Sequence, residues 1–323
     1  MALAVLGCAL AGTAGCESSP EHTGPWRVVV LEPDDPPPPS DYREGLLEGL
    51  GHGTQADASQ LSLRTSRAPA RALAALATTE QAVGADVALT VTTAALAACA
   101  QVAPAVIFTD VADPAAAGAR EPAFLARWLP SIYGPKGAAI TGAYAVTDFG
   151  ELLEVTASVM PMPGLGAVFA PADADSVAYR DQLRAFANRT VLSQPLDPAH
   201  PDAAVRALCD QKVGALVLLG DRSTDAVVAD LIVAARACRM LVLGTRTPHA
   251  AAGAVITLAR AERAAGIAAG RRAAAFMRGE RPQLEPFERI TQRRLILNAQ
   301  AAEQAGVGLP LATIERADEV LGD

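Results

Sequence analysis

Apolar runs alternate with amphipathic, alanine-rich segments along most of the chain. The apolar runs read as strands at 26–31, 61–65, 86–91, 105–109 and 138–146, then at 166–170, 189–194, 213–219, 240–244 and 254–259. Helices are expected between them, among them DYREGLLEGL, ARALAALATTEQAV, DFGELLEVTASVM, SVAYRDQLRAFA and ERAAGIAAGRRAAAFMRG. Within the strands hydrophobicity is continuous rather than alternating. That pattern marks strands covered on both faces, hence parallel sheets with helices on each side. The predicted class is α/β.

The length of 323 residues suits two lobes of ordinary domain size better than one enlarged core. A faint internal echo agrees. WRVVVLEP leads through a loop to SDYREGLLEGL, and LGAVFAP leads to SVAYRDQLRAF. The proline run EPDDPPPPS (32–40) favours an extended loop after the first strand, and Ser40 can cap the helix that follows.

The first 15 residues carry no charge and end in small residues before Cys16. They are too short to span a bilayer, which takes roughly 20 apolar residues. They look instead like the core and cleavage site of an export signal. GTAGC resembles a lipobox, so Cys16 is the expected lipidation site and membrane anchor. No Lys or Arg precedes the run, and Thr13 stands where that motif prefers Leu. Residues 16–25 then serve as a tether. Cys99, Cys209 and Cys238 form no C-x-x-C pair, which argues against zinc and thioredoxin-type chemistry. A Cys209–Cys238 bridge is open in an oxidising compartment; two small buried hydrophobes are the favoured reading.

The formal charge of −8 argues against nucleic acid as a partner, because phosphate recognition needs a basic face. His22, His52, His200 and His249 are scattered, and no H-E-x-x-H, G-x-S-x-G, Walker or dinucleotide fingerprint is present. Catalysis is therefore disfavoured, and no cofactor or metal is expected.

Polar residues collect where strands end. Thr92 and Thr93 follow the third strand, Thr109, Asp110 and Asp113 the fourth, and Tyr144 ends the fifth. In the second half Asp173, Asp175 and Ser176 follow VFAP, Asp221, Arg222 and Ser223 follow LVLLG, and Thr245 and Arg246 follow MLVLG. In doubly wound sheets such ends border a ligand crevice. Hydroxyls beside exposed helix amides suit an anionic group, and acidic groups opposite suit an ammonium.

Taken in order, VVVLEP…SDYREGLLEGLG, GADVALTVTTAALAA, PAVIFTDVADPAAAG, GAVFAPADADSVAYRDQL, ALVLLGDRSTDAVVADLIVAAR and NAQAAEQAGVGLP…ERADEV resemble ABC-transporter substrate-binding proteins of the periplasmic type I fold, in the family with tryptophan- and tyrosine-type members. The resemblance implies two doubly wound, Rossmann-like lobes with a hinge. One lobe would comprise 26–142 plus 257–282 and the other 143–256 plus 283–323. It implies export and a monomer that carries a small-molecule ligand, an amino acid or related carboxylate, to a membrane permease and its ATPase. A receptor signalling to a membrane partner is the alternative. Thr92, Thr93, Asp110, Tyr144, Ser176, Asp221 and Arg246 are the expected ligand contacts. Arg246 stands where many members carry an aspartate, which would reverse the local charge and favour an anion. Tyr144 stands where a small serine is common.

The Cys16 expectation is directly testable. Mass spectrometry of the membrane fraction should find a diacylglyceryl group on Cys16, and Cys16→Ser should release the protein into the soluble fraction.

Overall fold

The computed structural model describes residues 24–53, 61–134, 137–161 and 164–322. The signal segment and Cys16 lie outside them. Strands β1 (Trp26–Pro33), β2 (Leu61–Ala68), β3 (Val87–Val91), β4 (Ala105–Thr109) and β5 (Ala139–Ala145) belong to a first sheet. Strands β6 (Leu165–Phe169), β7 (Val191–Pro195), β8 (Ala215–Val217), β9 (Leu241–Gly244) and β10 (Ile256–Arg260) belong to a second. Strand β11 (Glu288–Ile290) returns to the first sheet beside β5, while β12 (Arg293–Asn298) and β13 (Glu319–Leu321) complete the second. The strand orders are β11-β5-β4-β3-β1-β2 and β13-β12-β10-β9-β8-β6-β7. Every pairing is parallel except β10 with β12.

Helices α1 (Ser40–Gly53), α2 (Leu73–Ala82), α3 (Thr93–Cys99) and α4 (Pro130–Tyr133) lie within the first lobe's stretch of chain. The second lobe holds α5 (Phe149–Val159), α6 (Ala174–Phe186), α7 (Pro201–Asp210), α8 (Arg222–Asp225), α9 (Val228–Ala237) and α10 (Thr247–Ala252). Helix α11 (Glu262–Met277) packs back on the first lobe, and α12 (Ala299–Ala305) and α13 (Leu311–Ile314) lie with the second. The unbroken apolar strands have the cause expected of them. Val28 and Val30 of β1 pack with Tyr42 and Leu46 of α1, whereas Val29 and Leu31 pack on the opposite face with Leu73 of α2 and Leu96 of α3. The second sheet is likewise covered by α5 and α6 on one face and by α7 and α9 on the other.

The chain passes between the sheets at 146–148, at Ala261 and at 291–292. The last two crossings fall later than the 257 and 282 expected from sequence. Strand β10 stays in the second sheet to Arg260, and β11 pairs with β5 before the chain leaves the first lobe. Strands β11, β12 and β13 were not anticipated as strands. Two are only three residues long, and β12 opens on two exposed arginines that interrupt its apolar signal. Cys209 and Cys238, favoured as separate buried hydrophobes, are instead joined in a disulfide with Cα atoms 5.9 Å apart, linking the C-terminal ends of α7 and α9.

Helices α1 and α11 meet through glycines. A Cβ on Gly266 or Gly270 would overlap the carbonyl oxygen of Tyr42 or Leu46, and one on Gly45 or Gly49 would overlap that of Arg263 or Ile267. The two backbones lie closer than any side chain permits. Gly266→Ala should therefore destabilise the protein by about 1–3 kcal/mol. Gly51→Ala, whose Cβ meets nothing within 4 Å, should be neutral or stabilise by about 0.5–1 kcal/mol. Urea unfolding of the two variants checks the contrast.

Candidate functional site

Strands β1, β3 and β4 of the first lobe and β6, β8 and β9 of the second end towards one another, and the loops after them carry the polar residues singled out in the sequence. Thr92 leaves β3 with φ +98°, a conformation unfavourable for a β-branched residue. It is held there from both sides. Its N–H donates to Thr109 O at 3.2 Å, and its hydroxyl accepts from Ala95 N–H at 3.4 Å, capping α3.

Thr93 meets a protein carboxylate. Its N–H donates to Asp175 Oδ2 at 3.1 Å, its hydroxyl donates to Asp175 Oδ1, and Ala112 N–H donates to the same oxygen at 2.9 Å. Asp175 belongs to α6, so the group expected to receive a ligand's anion is filled by the opposite lobe. Gln182 of the same helix donates to Ala112 O at 3.0 Å, and Arg222 donates to the carbonyls of Asp35 and Pro36 in the proline-rich loop at 3.3 and 3.1 Å. These contacts draw the lobes together.

Arg260, at the end of β10, sits at the middle of this contact and is fully buried by both lobes. It donates to Tyr42 Oη at 3.2 Å in the first lobe, to Thr147 Oγ1 at 3.1 Å in the first crossing, and to Gly220 O at 2.6 Å in the second lobe. Its guanidinium lies 4.8 Å from the centre of the Tyr179 ring, and Glu262 Oε1 is 3.3 Å from its Nε. Asp110, 9% exposed and with φ +49°, lies within the influence of the Arg260 charge. Among the described residues the Asp110 side chain makes no hydrogen bond or ion pair. Burial pushes its pKa well above the usual carboxylate range, against the pull of the Arg260 charge. One residue earlier, Thr109 Oγ1 is also buried without a hydrogen-bond partner.

The other expected contacts have internal partners. Ser176 Oγ accepts from Ala170 N–H at 2.8 Å and fixes the turn from β6 into α6. Asp221 caps α8, accepting from Thr224 N–H at 3.0 Å and from its hydroxyl at 2.7 Å. Arg246 is gripped by Glu262, with one bond of 2.9 Å and a second to Nε, and by Asp225. Two carboxylates on one guanidinium leave no excess positive charge, so the reversal expected from Arg246 does not arise. Although burial acts to raise it, His249 and Arg246 hold Asp225 down at about 2. Tyr144 is half-buried against Phe108, ring centres 6.5 Å apart, and the charges nearest its hydroxyl are Arg289 and Glu121 of its own lobe.

Thr93, Asp110, Asp175, Arg246 and Arg260 are thus brought together, while Tyr144 stands apart with first-lobe neighbours. Arg260, Glu262 and Tyr42 were not anticipated. The available signal was an arginine ending the apolar run ITLA, directly before a change of lobe. Around the contact, Asp110, Asp173, Asp175, Asp221, Asp225 and Glu262 stand against Arg222, Arg246 and Arg260, twice as many carboxylates as guanidiniums. Burial, then the Asp173 charge, push Asp175 up to about 6 and Asp221 up to about 7. Among the described residues no group of three or more His, Cys, Asp or Glu is placed to hold a metal ion.

Two α/β lobes, three crossings and a polar contact between strand ends define a two-lobed solute-binding protein of the periplasmic type, which binds its substrate without converting it. The chain belongs to the family of ABC transporter substrate-binding proteins, whose sequence pattern matches residues 28–321. No curated protein matches it in sequence. Among solved structures it is similar to a conserved domain protein from Vibrio cholerae, at 21% identity and TM-score 0.77, covering 91% of this chain and 99% of that one. It is similar to an ABC domain from Streptococcus pneumoniae in complex with L-Trp, at 16% identity and TM-score 0.78, covering 92% and 100%. A ligand-free, open substrate-binding protein with adhesive properties from Clostridium difficile shares 15% identity with TM-score 0.63, covering 92% and 100%.

The Asp221 environment has a consequence for stability. Its carboxyl ordinarily ionises near 3.8 and in the fold near 7, so the folded protein binds the extra proton between those values. The resulting stabilisation is complete below about pH 4 and is lost as pH rises through 7. Asp221→Asn should raise stability relative to wild type at pH 8 by about 2–4 kcal/mol and lose the advantage near pH 4. Urea midpoints across that range check it.

Proposed function

We propose that the protein takes up a small polar solute between its lobes, outside the cytoplasm, and hands it to an ABC permease driven by its ATPase. A lipid on Cys16 would hold it at the membrane surface. The observation that carries this reading is Asp110, a buried carboxylate on left-handed backbone with no hydrogen-bond partner, within the influence of the second lobe's Arg260 charge. An unpaired buried carboxylate costs several kcal/mol unless something completes it. A bound solute with a cationic or hydroxyl group would do so.

Of the seven residues expected from sequence, Asp110 is the proposed direct contact. Thr93, Ser176, Asp221 and Arg246 shape the walls through the partners that orient them, and Thr92 acts through α3. Closure would turn the lobes about 146–148, Ala261 and 291–292, a hinge motion around three strands of chain. The L-Trp bound to the Streptococcus pneumoniae protein supports a small solute as cargo.

A thermal-shift screen of residues 26–323 against amino acids, organic acids, nucleosides and polyols tests the reading. A ligand at a hundredfold excess over its Kd should stabilise the protein by about 2.7 kcal/mol. Asp110→Asn should abolish that response while leaving the unliganded melting temperature at or above the wild-type value. A response unchanged by Asp110→Asn would place the solute elsewhere.

A further inference from the structure

The donors at the start of α3 and after β4, and the Arg246 guanidinium, are already committed to protein carboxylates. Asp175 takes the Thr93 N–H, the Thr93 hydroxyl and the Ala112 N–H. Arg246 is divided between Glu262 and Asp225. Arg222 donates to two loop carbonyls with its Nε 3.4 Å from Asp173, and Arg260 donates to Tyr42, Thr147 and Gly220. A solute carboxylate entering here would find the Thr93 and Ala112 donors taken by Asp175 and would sit among carboxylates that already outnumber the guanidiniums. Its desolvation would be poorly compensated.

A cation meets the opposite situation. Both Asp110 carboxylate oxygens are without a hydrogen bond among the described residues, and the preceding residue holds another unused buried acceptor, Thr109 Oγ1. An ammonium carries three N–H donors and no acceptor, so it complements the Asp110 carboxylate without requiring any donor from the protein. A charge-assisted hydrogen bond in such a setting is about twice as strong as a neutral one. It would also offset the local excess of negative charge. We propose that the transported solute is an amine cation without a carboxylate, its nitrogen bound by Asp110, and that Asp175 occupies the place a solute carboxylate would need. This rests on interlobe capture as proposed above and narrows its substrate class.

Matched probes test it by calorimetry on the purified protein at pH 7.5: L-arginine against agmatine, L-ornithine against putrescine, and L-tryptophan against tryptamine and indole-3-propionate. At least one amine should bind tenfold or more tightly than its amino acid, and indole-3-propionate should give no binding heat. Asp110→Asn should weaken the amine at least tenfold with its urea midpoint not lowered. If that variant does not fold, the wild-type ranking of each amine against its amino acid decides alone. Amino acids binding as well as or better than their amines, or no binding by any amine, would overturn the assignment. In those cases a response to an amino acid or polyol that is lost in Asp110→Asn would leave interlobe capture standing. Silence from every solute would remove both.

Discussion

Burying one guanidinium organises this molecule. A charged group taken out of water is tolerated only when its hydrogen-bonding capacity is met inside the protein. Arg260 meets it with groups from places far apart in the chain: Tyr42 near the start, Thr147 in the first crossing, Gly220 in the second lobe. Tyr179 covers its face. No single lobe supplies the whole set. The arginine is satisfied when both lobes and the first crossing stand in this arrangement, which makes it a direct coupling between hinge and closed contact. Its position directly before Ala261, where the chain leaves the second lobe, puts that coupling at the pivot itself.

Around this centre the lobes are joined by polar rather than apolar contacts. Asp175 reaches from α6 to the start of α3, and Arg222 reaches the carbonyls of the proline-rich loop. Such bonds exchange readily for water, so a contact built from them can open and close at modest cost. A greasy interface of the same size would hold the lobes together or leave an aggregation-prone face when open. The raised pKa values of Asp175 and Asp221 show the accompanying tension, since carboxylates crowded in a dry space resist ionising.

Much of this fold was legible because it rests on local patterns. Unbroken apolar runs such as WRVVVL and VALTV become strands buried on both faces, and chain length with the internal echo implies two lobes. Short edge strands escaped, since three residues such as Glu288–Ile290 carry no periodic signal and owe their pairing to β5. For the site, proximity to strand ends was readable, and it picked out Thr93, Asp110 and Arg246. Partners were not. That Asp175 answers Thr93, or that Glu262 neutralises Arg246, depends on how one lobe faces the other, and no window of sequence encodes that. Ser176 and Asp221 illustrate the same limit: a polar residue opening a helix looks alike whether it caps the helix or meets a solute.

The glycine-to-glycine seam between α1 and α11 bears on how the polypeptide matures. Helix α1 is made early, yet the surface that shields Tyr42, Leu46 and Leu50 arrives only with residues 262–277. Strands β6 to β10, by contrast, form an uninterrupted block from 165 to 260. As the chain emerges during synthesis, that later block can assemble its parallel strands while the earlier one still has an uncovered flank. Both lobes are therefore sealed late, the first by α11 and β11 and the second by β12, α12 and β13, and a chain that stays incompletely folded until its end is made is easier to thread.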